Sequence, residues 1–109
     1  MLLTCLIAAA FIGGIVVGVL INEIMDWAKD VFNSLSNMVK KAWVYIRRIP
    51  GGIKKMIRYI KYGEVVETSE VVTVSWEEVV RMHEDGEIDD DTFNALKARQ
   101  DKKIAELNR

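Results

Sequence analysis

The sequence predicts an all-α membrane protein. One N-terminal transmembrane helix continues into an amphipathic helix, followed by a short basic helix, a short extended segment and a C-terminal helical hairpin. Three observations predict it. Residues 2–21 carry no charge. Residues 23–49 contain neither Gly nor Pro. Near the C-terminus, Ser75-Trp76-Glu77-Glu78 and Asp89 stand where helix N-caps are placed.

The apolar run assigns residues 1–22 to the span. Its twelve Leu, Ile, Val or Phe residues each favour insertion by roughly 0.3–0.6 kcal/mol. At helical rise the run covers about 30 Å, the thickness of a hydrocarbon core. A cleaved signal peptide would need a basic start and small residues after a shorter core. Here Ala8, Ala9 and Ala10 sit in mid-run, and Asn22-Glu23 follow. Every Lys and Arg comes later, so the positive-inside rule places the C-terminus in the cytoplasm of a single-pass protein. Cys5 is the one cysteine and has no intramolecular partner.

Ala10, Gly14, Gly18 and Asn22 recur every fourth residue, a small-residue stripe that lets helix backbones approach closely in lipid. The stripe implies self-association. A pore lined by the same stripe is the competing reading.

Residues 23–49 read as a juxtamembrane amphipathic helix. Ile24, Ala28, Val31, Leu35, Met38 and Ala42 alternate four and three apart, and the pattern runs on to Tyr45 and Ile49. Trp27, Phe32, Val39, Trp43 and Ile46 widen this seam. It either packs against copies of itself in a homo-oligomer or lies on the bilayer with tryptophans at headgroup level.

Pro50-Gly51-Gly52 then makes a hinge, and residues 50–63 complete a basic interfacial helix. Ile53, Met56, Ile57 and Ile60 form its apolar side, with Lys54, Lys55, Arg58 and Lys61 set toward lipid headgroups. Charge divides accordingly: residues 22–62 hold nine basic and three acidic side chains, and residues 63–109 hold six and thirteen. Because the positive charge follows a hydrophobic span, the implied partner is a lipid bilayer and not nucleic acid.

Residues 64–75 are rich in Val and Thr and form an extended linker or a strand. With no second strand expected in the chain, a strand here would pair with another copy or another protein. Residues 76–109 form an acidic αα-hairpin. Its first helix starts at Trp76, Asp85-Gly86 ends it, and Asp89 caps a second helix over about 90–108. A unit below about 40 residues needs a second copy, the basic helix or a partner to fold.

Residues 85–89 do not make a calcium loop. Aligning Gly86 to the turn puts Arg81 at the first ligand and Thr92 at the bidentate glutamate. Gly86, Ile88, Asp89-Asp90-Asp91, Phe93 and Lys97 instead resemble the SHOCT family, a short helical module at the ends of bacterial proteins. Thr92 and Gln100 depart from the family's usual acid and Leu. The resemblance covers about 30 residues, and it implies an interaction or oligomerisation role, with Gly86, Ile88, Asp89 and Phe93 forming the hairpin turn. His83 is the only histidine and has no second ligand at metal spacing. No phosphate loop and no nucleophile–base motif is present, so neither catalysis nor a cofactor is expected. The expected function is that of a non-enzymatic single-span protein that self-associates and presents a small domain to a cytoplasmic protein partner. The alternative is a membrane-permeabilising, holin-like or defence protein.

Overall fold

Burial over residues 41–47 alternates with a period of two, which is the spacing of strands and not of helices. The computed structural model describes residues 8–11 and 18–109. Within β2 (Lys41–Ile49), Ala42, Val44 and Ile46 are buried while Trp43, Tyr45 and Arg47 lie half-exposed on the other face. Pro50-Gly51 turns the chain into β3 (Gly52–Lys61), with Gly51 at the positive φ that the second turn position of a Pro-Gly type II turn requires. Tyr62 and Gly63 both take positive φ, at 53° and 77°. That is the geometry of a type I′ hairpin turn, and it leads into β4 (Glu64–Thr73).

The full order is β1 (Ala8–Phe11), α1 (Val19–Ser34), β2, β3, β4, α2 (Trp76–Glu84), α3 (Asp90–Lys97) and β5 (Lys102–Asn108). The strands form one antiparallel sheet in the order β1-β5-β2-β3-β4. β5 enters between β1 and β2, pairing Lys41 with Asn108 and Val44 with Ala105. A shift in register after Val44 leaves Ile104 without a partner across the ladder. This bulge turns the consecutive Ile104 and Ala105 both into the core.

One face of the sheet carries all three helices. Ile21, Ile24, Ala28 and Phe32 of α1, Val79 of α2 and Leu96 of α3 join Val44, Ile46, Ile57 and Leu107 in a single core. The local caps act as the residues imply. Ser75 Oγ accepts from Glu78 N–H at 3.1 Å, and Asp89 Oδ1 accepts from Thr92 N–H at 2.9 Å. Glu87, in the α2–α3 turn, accepts from Val19 N–H at 3.4 Å and so ties that turn to the start of α1. A Cβ at Gly18 would stand 2.6 Å from the Cβ of Glu87, so this approach needs a glycine.

These elements overturn the all-α membrane fold and the single-pass location with a cytoplasmic C-terminus. Among the described residues no helix is long and apolar enough to cross a membrane. Residues 8–11 are paired with β5, and Leu20 and Ile21 are buried in the core of the chain itself. High hydropathy alone does not distinguish lipid exposure from burial, because a tertiary core has the same preference for apolar side chains. The amphipathic helix over 23–49 stops at Ser34, and its last part is β2. The basic helix within 50–63 is β3, where β-branched residues and cross-strand pairing prevail over the helical spacing. The second hairpin helix ends at Lys97 instead of about 108, because Ile104 and Leu107 are held in β5.

The face without helices holds a chain of ion pairs. Arg47 meets Asp101 at 3.2 Å, Asp101 meets Arg58 at 2.8 Å, Arg58 meets Glu67 at 2.7 Å, and Glu67 meets Lys54 at 3.4 Å. Arg58 also lies 4.4 Å from the Tyr45 ring centroid, covering buried Met56. Its hydrogen bond holds the Glu67 carboxyl below the usual carboxylate range, while Glu67 and then Asp101 raise the Arg58 guanidinium. A depressed carboxylate contributes stability that is complete above its unfolded value of about 4.3. That contribution disappears as pH falls through the lower folded value, whereas Arg58 stays charged throughout. Glu67→Gln is therefore expected to flatten the acid-side decline of the urea midpoint between about pH 5 and pH 2. An identical decline in the variant would show that the pairs made by Glu67 add nothing to folding.

Candidate functional site

β4 is the outer strand at one end of the sheet, so one side of its backbone is left without a ladder partner among the described residues. Val65, Val66, Thr68, Val71, Val72 and Thr73 give it the β-branched content of a strand. The type I′ turn fixes its register on β3, from Lys61 opposite Glu64 to Gly52 opposite Thr73. Among the described residues nothing pairs with its other side. Alternate N–H and C=O groups along ten residues therefore face outward, as on any edge strand.

The side chains along this edge are acidic and apolar. Val65 is 72% exposed and Val71 57% exposed, both on the face away from the helices. Glu64, Glu67 and Glu70 are the only charges in β4. Lys54 and Arg58 hold Glu67 on the open face, and Trp27 Nε1–H donates to Glu70 at 2.9 Å on the helix face. Below the C-terminal end of β4, Val19, Leu20 and Met82 line a groove of about 160 Å³ rimmed by Glu23 and Glu78.

The residues singled out in the sequence are not brought together into one site. Ala10 lies in β1 opposite Glu106, Gly18 at the start of α1, and Asn22 on its exposed side, while Gly14 lies outside the described residues. The stripe is thus not the face of one helix. Ile24 and Ala28 are buried inside the chain, Val31 and Leu35 pack against the same core, Met38 is 67% exposed, and Ala42 lies in β2. The proposed oligomer seam is therefore largely internal. Lys54 and Arg58 fall on the open face, but Lys55 falls on the other, with its ammonium 4.7 Å from the Trp27 ring centroid. Lys61 is exposed beside Tyr62. These cations do not share the single face that lipid headgroups would need.

The hairpin turn is where the sequence placed it. Gly86 has a φ of +81°, Ile88 is buried, Asp89 caps α3, and Phe93 stacks with Trp76 and His83. His83 Nε2 lies 2.7 Å from Asp90 Oδ1. Sequence reasoning missed the partner of β4, because the basic residues of β3 had been assigned to a helix. The signal available was the strand-length spacing between the turn dipeptide Pro50-Gly51 and the next glycine, Gly63, which together frame β3.

Comparison with family models, curated proteins and solved structures finds no match to this chain.

Proposed function

We propose that this chain is a non-enzymatic interaction module that binds an extended segment of another polypeptide by strand addition at β4. The open ten-residue edge carries this reading. A segment added there gains main-chain hydrogen bonds, and its alternate side chains meet Val65 and Val71 on one face. Charge selects the occupant. A second copy pairing antiparallel about Glu67 would set Glu64 against Glu70 and Glu67 against itself, and like charges placed opposite are unfavourable. A basic, Val- or Ile-rich segment has the complementary sign. The SHOCT-like turn supports the same class of role, since that resemblance implies interaction and not catalysis. A membrane-permeabilising role finds no comparable support, because its small-residue stripe is divided between β1 and the start of α1.

The test is amide hydrogen exchange and backbone NMR on the whole chain. Two ten-residue probe peptides are used, one alternating Lys with Val and one alternating Glu with Val. The Lys-Val peptide is expected to protect β4 amides and shift them saturably, and Glu64→Lys with Glu70→Lys is expected to weaken that binding about tenfold. No protection in β4, or equal binding of the Glu-Val peptide, overturns the reading.

A further inference from the structure

At the end of the sheet where Pro50-Gly51 turns, a cleft of about 350 Å³ opens between the hairpin, the end of β4 and α2. Arg48, Gly51, Gly52, Ser75, Trp76 and Arg99 contribute to its walls, and no acidic side chain does. The guanidinium of Arg48 lies 3.9 Å from the centroid of the Trp76 ring. Trp76 is itself stacked on Phe93, and Phe93 on His83, at centroid distances of 5.3 and 4.0 Å. This stack uses the flat face of the guanidinium and leaves its in-plane N–H groups to point into the cleft or solvent.

Arg99 arrives differently. It follows the Ala98 cap of α3 at a φ of +56°, the left-handed position at which helices usually end in Gly or Asn. A side chain there costs about 1–2 kcal/mol of backbone strain. The fold accepts that strain at a residue that lines the cleft. Among the described residues, neither Arg48 nor Arg99 has a carboxylate within salt-bridge distance or a side-chain hydrogen bond. Arg47 and Arg58, by contrast, are both paired with Asp101.

The geometry points to an oxyanion-binding site, in which Arg48 and Arg99 together hold the phosphoryl or carboxylate group of a ligand. Two arginines on the walls of a cleft lined by no acid can supply bidentate donors to such a group. The Trp76 stack holds one of them in place before binding, so less side-chain freedom is lost when the anion arrives. The site is separate from the outward edge of β4 and does not depend on strand addition there.

Inorganic phosphate and acetate serve as probes, titrated into the whole chain at constant ionic strength. The readouts are the Trp76 indole N–H and the Arg Nε–H resonances. Saturable shifts at Trp76, Arg48 and Arg99 are expected with at least one probe. Saturation by phosphate alone assigns a phosphoryl ligand, and saturation by acetate alone assigns a carboxylate. Arg48→Gln and Arg99→Gln should each weaken binding about tenfold, the loss of one charge-assisted contact. Arg81→Gln, on the exposed part of α2, should leave it unchanged. Thermal unfolding of each variant checks that the fold is retained. Absence of saturation with both probes, or an equal loss in Arg81→Gln, overturns the assignment.

Discussion

Phe32→Ala is expected to lower the stability of this chain by about 3–5 kcal/mol, the range for truncating a buried aromatic ring. Phe32 is fully buried at the end of α1. The guanidinium of Arg109 lies 4.3 Å from its ring centroid and donates to the carbonyl of Phe32, joining the end of β5 to the end of the helix. The truncation removes ring contacts and weakens the seat of that guanidinium. Domains of this kind have total stabilities on the order of 5–15 kcal/mol, so the variant is left close to unfolding. A fall in Tm of about 12–20 °C is expected. Met38→Ala is the matched control, because helical spacing put Met38 on the same seam, whereas the fold leaves it 67% exposed. Its cost should stay within about 0.5 kcal/mol. Comparable losses from the two substitutions, measured by urea unfolding, would restore the helical seam and reject the sheet.

Gly52→Ala is expected to cost about 3 kcal/mol, the upper part of the range for forcing atoms into occupied space. A Cβ built on Gly52 would stand 2.0 Å from the carbonyl oxygen of Val72. No rotamer relieves that contact, because both groups belong to the backbone of paired strands. The β3–β4 ladder must open where Gly52 faces Thr73. The same substitution alters a wall of the oxyanion cleft, so the variant should also lose the Trp76 response to phosphate or acetate. Hydrogen exchange at Thr73 should rise with the loss of stability. A change below about 0.5 kcal/mol, the ordinary range for a surface position, would show that the strands do not approach so closely.

Phe32 and Gly52 differ in how far the sequence alone reveals their roles. The seam reading placed Phe32 on an apolar face, and it is apolar and buried, but against β2 and β3 of its own chain and not against another copy. Gly52 was read as part of a hinge between helices. It is instead a contact point between strands, and only the position of Val72 reveals that. The oxyanion cleft shows the same limit: Arg48, Trp76 and Arg99 are spread over 52 positions of sequence numbering, and no spacing rule joins them.

Hydropathy misled for a definable reason. Apolar residues at the N-terminus satisfy a bilayer and a folded core equally well, and periodicity over 23–49 admits a helical count despite the alternation from Ala42 to Arg47. What settles the matter is the partner. Lys41 pairs with Asn108, and Ala10 with Glu106, across most of the length of the chain. The stabilisation of a strand exists only once its neighbour is beside it.

The amino-acid order by itself determined the caps at Ser75 and Asp89 and the turn through Gly86 and Ile88. Each is decided within about four residues, by one side chain reaching a nearby amide or by the φ that a residue tolerates. Tertiary structure alone decided that residues 41–49 and 52–61 are strands, that the apolar face of α1 packs on this chain's own sheet, that β4 is an edge and that two arginines line one cleft. Those outcomes depend on contacts between residues far apart in the chain, whose free energy appears only when the backbone has already closed on itself.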